Sequence, residues 1–182
     1  MNPALPFPRS YWVKPGRLLA GFLPGDKDPN TAEQKLSALL DCGVTHIICL
    51  MEEHERDHSG REFSDYRPLL QKVSATRGTN TSWTRRPVRD LDIPTPAAMS
   101  ETLDLLDAVM REENGCAYVH CWGGRGRTGT VIGCWLARHG IATGDAALAH
   151  LAALTAHAPA FFPRIPETDA QRDFVRQWKT NQ

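Results

Sequence analysis

Apolar and polar positions follow two rhythms along this chain. Residues 44–50, V-T-H-I-I-C-L, form a β-branched apolar run of strand length, which predicts a central, buried strand. Residues 17–20, 82–88 and 116–120 predict three more strands, the first ending at Gly21. Elsewhere the spacing is helical. Met99, Leu103, Leu106 and Met110 share one face of a helix over 95–113. Residues 30–41, 63–76, 129–139, 146–156 and 166–178 predict five others. Asn30 and Glu33 read as the N-cap and capping partner of the first, and Gly43 as its end. Residues 51–62 read as a charged loop, and Pro87 and Pro94 bracket another. Strands alternating with helices predict an α/β fold: a single domain with a largely parallel central sheet flanked by helices. The proline-rich residues 1–10 read as an extended arm before a domain over 11–180.

Composition narrows the function. The 182 residues suit one ordinary domain, with 41% hydrophobic and 23% charged residues. Lysine plus arginine equals aspartate plus glutamate, 21 against 21, which argues against a nucleic-acid or anionic-membrane binder. No run is long and apolar enough to be a transmembrane segment, and residues 1–10 lack the basic end and apolar core of a secretory signal. The cysteines at 42, 49, 116, 121 and 134 are odd in number and include no C-x-x-C pair. That usage favours a reducing, cytoplasmic setting and a functional thiol over a disulfide framework or a zinc site.

The chemistry concentrates in residues 119–130, V-H-C-W-G-G-R-G-R-T-G-T. A buried strand delivers Cys121 to its C-terminal end, five loop residues follow, and Arg127 and Thr128 open a helix. Glycines at 123, 124 and 126 allow a tight curl that turns successive N–H groups inward. Such a ring of amides at a helix N-terminus holds a phosphate-sized anion. The expected phosphate-binding set is therefore Trp122, Gly123, Gly124, Arg125, Gly126 and Arg127, with Arg127 gripping two oxygens through its planar fork. The same positive field favours a nucleophilic thiolate at Cys121. The Thr128 hydroxyl can hydrogen-bond the sulfur as it leaves, and His120 can brace the loop through backbone groups.

Two lookalike patterns carry less. Gly124, Gly126 and Gly129 spell the dinucleotide fingerprint G-x-G-x-x-G, but an alanine-rich helix follows where a second strand with a terminal acid is required. His54-Glu55-Arg56-Asp57-His58 spells the zincin pattern H-E-x-x-H, but charged neighbours surround the pair and no apolar stripe exists to bury it. No cofactor and no metal are expected. The 51–62 loop instead lies after a strand, at the edge where α/β folds bind ligands, so Glu52 or Glu53 can orient Arg127.

The H-C-x5-R-T-G segment resembles the signature of the protein tyrosine phosphatase superfamily, and the chain's small size is more similar to its compact dual-specificity branch. Residues 12–21, W-V-K-P-G-R-L-L-A-G, resemble the opening strand of compact members. The resemblance implies a cysteine phosphatase fold and a phosphoester hydrolase acting through a phosphocysteine at Cys121. It also implies a general acid on a loop about thirty residues upstream. Aligned on Pro87 and Pro94, Asp90 matches that acid, with Asp92 as the alternative. Gln171, in P-E-T-D-A-Q, is similar to a glutamine that positions the hydrolytic water, although Glu167 stands where the family has its first glutamine. Cys49, or Met51 by closer alignment, takes the position of a redox partner for the nucleophile in some relatives. The implied partner is a phosphorylated protein or peptide, foremost phosphotyrosine, with a phosphoinositide or a phosphate-binding module without turnover as alternatives.

Overall fold

The computed structural model describes residues 3–182. Five strands form one sheet in the order β1 (Ser10–Lys14), β2 (Leu18–Gly21), β5 (Ala117–His120), β3 (His46–Cys49) and β4 (Ser82–Arg85). β1 and β2 form an antiparallel hairpin, and every other pairing is parallel. Among the described residues six helices complete the fold: α1 (Pro29–Asp41), α2 (Arg67–Thr76), α3 (Pro96–Arg111), α4 (Gly126–Arg138), α5 (Asp145–Leu154) and α6 (Asp169–Gln177). α1 and α2 pack on each other, while α4 is the hub of the other four.

Register decides where function can sit. Gly21 pairs with His120, His120 with Cys49, and Cys49 with Arg85. Four parallel strands therefore end in one row, and the loops that follow them emerge side by side. Cross-loop hydrogen bonds lock this edge. Leu50 N donates to His120 O at 2.8 Å, Val88 N to Leu50 O at 3.0 Å, and Leu23 N to Trp122 O at 3.1 Å. A row of parallel C-terminal strand ends is where α/β sheets present ligands.

The boundaries differ from the sequence expectation for local reasons. Asp28, not Asn30, caps α1: its carboxylate accepts from Asn30 N and Thr31 N, and Pro29 has no N–H to satisfy. α2 begins at Arg67 rather than 63, because the Asp65 carboxylate takes the Arg67 amide and leaves 63–66 as loop. α4 begins at Gly126, so Arg127 and Thr128 lie inside its first turn. β1 escaped the pattern because Pro15 and Gly16 follow it closely. Part of the expected arm over 1–10 is packed: Phe7 meets Phe22 and Tyr118 edge to face at 5.6 and 6.1 Å. Residues 1–2 of that arm lie outside the described residues.

The core unites both sheet faces. Leu18, Leu19, Ile47, Ile48, Leu36, Leu39, Met99, Leu103 and Leu106 are fully buried. α4, which begins at the chemistry-bearing loop, is buried along nearly its whole length. Its Gly133 lets α6 approach so closely that a Cβ there would lie 2.7 Å from both Val175 methyl carbons. Gly133→Val should therefore destabilise the fold by roughly 1–3 kcal/mol through overpacking, more than the few tenths gained in helix propensity. A lowered urea midpoint at unchanged slope would report it.

Candidate active site

Cys121 is the first residue after the central strand β5 and is only 3% exposed. The loop behind it turns through Gly124, at φ +71°, where a Cβ would lie 2.4 Å from the Gly21 carbonyl carbon. Only glycine meets both demands, the left-handed backbone and the contact with the end of β2. The loop then enters α4, whose first-turn amides have no carbonyl one turn back to bond. Thr128 is wholly buried, and its Oγ1, like Arg127 Nε, has no hydrogen-bond partner among the described residues.

Arg127 is the electrostatic centre. Its side chain is 1% exposed, yet its fork is engaged on three sides. Nη1 donates to Glu55 Oε2 at 2.6 Å and Nη2 to Oε1 at 2.9 Å, a bidentate pair. Nη1 also donates to Val88 O at 3.1 Å, and Nη2 lies 2.9 Å from Asp90 Oδ1. Burial alone would lower the guanidinium's affinity for its proton. Glu55, Cys121 and Asp90 outweigh that and hold it above its usual range. The residue that fixes Arg127 is thus Glu55, not Glu52 or Glu53.

His120 braces the loop from behind. Its Nδ1 lies 3.0 Å from Cys121 O, so that nitrogen carries the proton. Its Nε2 then accepts from Tyr66 Oη at 2.6 Å, and Tyr66 Oη accepts from Trp83 Nε1 at 2.8 Å. This chain ties β4, the α2 start and β5 to the carbonyl of Cys121. Burial pushes the imidazole pKa down to about 4, the Cys121 carbonyl opposes that, and Arg127 adds to it.

The cavity at this edge measures about 470 Å³ and is lined by Arg9, Asp90, Cys121, Trp122, Arg125 and Phe161, among others. Asp90 lines it. Asp92 does not: its carboxylate accepts from its own neighbour, Ile93 N, at 2.9 Å. Leu91, at φ +63° and 54% exposed, follows Asp90 in the same loop. Arg125 also lines it and pairs there with Glu167, another lining residue.

Family comparison agrees with this geometry. The family model described as "PTP-SAK: Swiss Army Knife protein, DSP-PTPase phosphatase domain" matches residues 8–165. The chain belongs to this DSP-PTPase family. Its fold is similar to that of Tk-PTP in the active form, with a TM-score of 0.66 at 20% identity, over 95% of this chain and 97% of that one. It is likewise similar to PTPMT1 in complex with PI(5)P, with a TM-score of 0.62 at 17% identity, over 93% of this chain and 94% of that one. A third similar structure is P. aeruginosa TpbA in complex with pTyr, with a TM-score of 0.62 at 17% identity, over 96% of this chain and 92% of that one. No helix among the described residues of this DSP-PTPase is long and apolar enough to cross a membrane.

Of the residues expected from sequence, Cys121, Trp122, Gly123, Arg125, Gly126, Arg127 and Asp90 line one cavity, and Gln171 is not among its lining residues. Gln171 is fully buried and engaged at both ends of its amide. Its Oε1 accepts from Glu167 N and Thr168 N at 3.2 and 3.1 Å, and its Nε2 donates to Asp92 O at 3.1 Å. Together with the Thr168 hydroxyl, which donates to Leu91 O, it fastens the loop that carries Asp90 to the start of α6. Cys49 and Met51 are both buried, and burial raises the Cys49 thiol to about 11.

Sequence reasoning missed Glu55, Tyr66 and the cavity's Arg9, His58 and Phe161. The first hid inside the zincin lookalike. Its histidines part company: His54 pairs with Glu62 at 3.3 Å, while the His58 ring sits 4.5 Å from that of Trp122.

The His120 brace carries a pH signature. Its folded pKa of about 4 lies below the ordinary 6.5, so the unfolded chain binds more protons between those values. Stability contributed by the neutral ring should be complete above pH 6.5 and fall as pH drops toward 4, by up to about 1.4 kcal/mol per pH unit. The groups facing this ring are Tyr66, Tyr118, Cys121 and Arg127. Urea midpoints between pH 4 and 7 should slope less in His120→Gln than in the wild type.

Proposed function

We propose that this DSP-PTPase is a metal-independent phosphoester hydrolase that dephosphorylates protein phosphotyrosine, with phosphoserine and phosphothreonine within reach of the same chemistry. The observation that carries the reading is the presence of Cys121, Arg127 and Asp90 together, with Arg127 2.9 Å from Asp90, at one sheet edge. The flat walls offered by Trp122 and Phe161 favour an aryl phosphate over an inositol ring.

The phosphoryl group seats in the curl of residues 122–127, its oxygens held by backbone N–H groups and the Arg127 guanidinium. The Cys121 thiolate attacks phosphorus, so the S–P bond forms while the bond to the leaving oxygen breaks. Asp90, acting in its protonated form, gives that oxygen its proton. Phosphate occupying the Arg127 fork displaces Asp90 from it and frees the carboxyl to face the leaving group. Water then attacks phosphorus, Asp90 takes its proton, and the S–P bond breaks to return the thiolate and release inorganic phosphate. The unpartnered Thr128 hydroxyl stabilises the departing sulfur. Gln171 serves as a positioning residue that keeps Asp90 over the cavity through the Asp92 carbonyl.

Wild-type protein with a chelator present should release phosphate from para-nitrophenyl phosphate and from a phosphotyrosine peptide. Cys121→Ser should abolish turnover. Asp90→Asn should lower kcat by about a hundredfold or more on the peptide, whose phenol is a poor leaving group, and by less on the nitrophenyl ester. A protein that binds phosphopeptide tightly without releasing phosphate would overturn the hydrolase reading. Efficient turnover of PI(5)P but not of the peptide would overturn the choice of substrate.

Gln171→Ala should mimic a weakened acid rather than a lost nucleophile. The loss of kcat should be several-fold to tenfold, larger for the peptide than for the nitrophenyl ester, with KM nearly constant. Equal losses on both substrates would contradict a role through Asp90.

A further inference from the structure

Three arginines line the active-site cavity, and they differ in how their charge is met. Arg127 is neutralised by Glu55 and Asp90, and Arg125 by Glu167. Arg9 has no carboxylate within salt-bridge distance and no side-chain hydrogen bond among the described residues. Its buried Nε is without a partner. The side chain is nevertheless held in place. Its guanidinium lies 4.2 Å from the Phe22 ring centroid and 5.2 Å from that of Phe161. Its backbone is fixed as well, since Arg9 O accepts from Phe22 N at 3.1 Å at the mouth of the β1–β2 hairpin.

A cation in this position is partly desolvated with no carboxylate partner among the described residues. Burial lowers the proton affinity of the Arg9 guanidinium, and the nearby Arg125 charge lowers it further, against the opposing effect of Cys121 and Tyr118. Stacking on two rings recovers part of that cost and leaves the in-plane donors free. A planar, preoriented fork with free N–H groups matches an oxyanion bidentately. Its distance from the loop matters too. It reaches the cavity from a strand end on the opposite side of β2 from Cys121, while Arg127 and the 122–127 amides already serve the scissile phosphate.

We propose that Arg9 forms a second anion subsite in the active-site cavity, which selects phosphotyrosine peptides bearing an acidic side chain or a second phosphorylated residue next to the phosphotyrosine. This rests on the phosphotyrosine reading above and deepens it. The exposed Phe161, 39% accessible, and Leu91 flank the subsite and supply apolar surface on which the peptide on either side of the phosphotyrosine can lie.

The test is a set of phosphotyrosine peptides in Glu and Gln pairs, the variable residue walked from two positions before to two positions after the phosphotyrosine. At its preferred position wild type should favour Glu over Gln by about ten- to a hundredfold in kcat/KM, the scale of one charge-assisted contact. In Arg9→Gln that ratio should fall to near one. In Arg9→Lys, which keeps the charge and loses the planar fork, it should be intermediate. A structural role alone would lower the melting temperature and the rate on both members of each pair and leave the ratio intact. A Glu/Gln ratio near one in wild type at every position, or a ratio unmoved by Arg9→Gln, overturns the proposal. So does an effect of Arg9→Gln confined to phosphoinositide vesicles that carry a second ring phosphate. Wild-type turnover of the neutral peptide reads the phosphotyrosine function separately, so failure of that function and failure of the subsite are distinguishable.

Discussion

A full positive charge is buried at the end of the central strand, and the surrounding loops are arranged to keep it there. Removing a guanidinium from water costs several kcal/mol, and it is tolerated only where geometry and hydrogen bonding are nearly complete. Arg127 meets that condition through the bidentate Glu55 carboxylate, the Val88 carbonyl and Asp90. Each partner comes from a different strand's exit loop: Glu55 after β3, Val88 and Asp90 after β4, Arg127 itself after β5. The ion pair therefore joins the cross-loop backbone hydrogen bonds in registering three strand exits. It also sets the protonic logic of the site. In the proposed reaction Asp90 is the acid, and it rests on the arginine that the phosphate would claim, so on that reading substrate binding and release of the acid are one event.

The same constraint explains the second shell of order. The loop from 121 to 126 must curl tightly enough to aim amides at one point, and it is held from below by the neutral His120 ring and from the side by the contact of Gly124 with Gly21. The loop that carries Asp90 is held at its far side by Gln171 and Thr168 at the start of α6. In consequence α6, the last helix of the chain, governs a loop some eighty residues earlier, and the packing of Gly133 against Val175 fixes α6 upon the helix that carries Arg127. Preorganisation at the site thus runs through ordinary core packing.

What was legible in the sequence follows from the range of the forces involved. The H-C-x5-R-T-G loop was legible because a strand, a thiol, glycines and a helix start are local features, and because four parallel strands have strong local hydrophobic signals. Asp90 was set ahead of Asp92 by alignment on Pro87 and Pro94, and the structure adds that of the two only Asp90 lines the cavity. Glu55 was invisible for a different reason. Charge–charge pairing across 72 residues leaves no periodic trace, and the motif around it spelled something else. Gln171 showed its place but not its partners, because a capping box and a hydrogen bond to a distant carbonyl use the same amide that a hydrolytic water would use.

Arg9 is the clearest case of information that only the fold supplies. In sequence it is one basic residue in a proline-rich stretch, and its natural reading is a solvated arm. In the structure the β1–β2 hairpin returns that stretch to the active edge, and two aromatic rings separated by more than a hundred residues from each other clamp its guanidinium. A protein has little thermodynamic reason to hold an unpaired, half-buried cation in a defined plane for stability alone, since an apolar residue of similar length would pack the same rings without the desolvation cost. A ligand that brings the missing negative charge removes that objection. It also separates two duties within one cavity: the loop and Arg127 recognise the group that is cleaved, and Arg9 recognises what stands beside it. Discrimination between phosphorylated substrates then rests on a residue of the same cavity other than Cys121, Arg127 and Asp90.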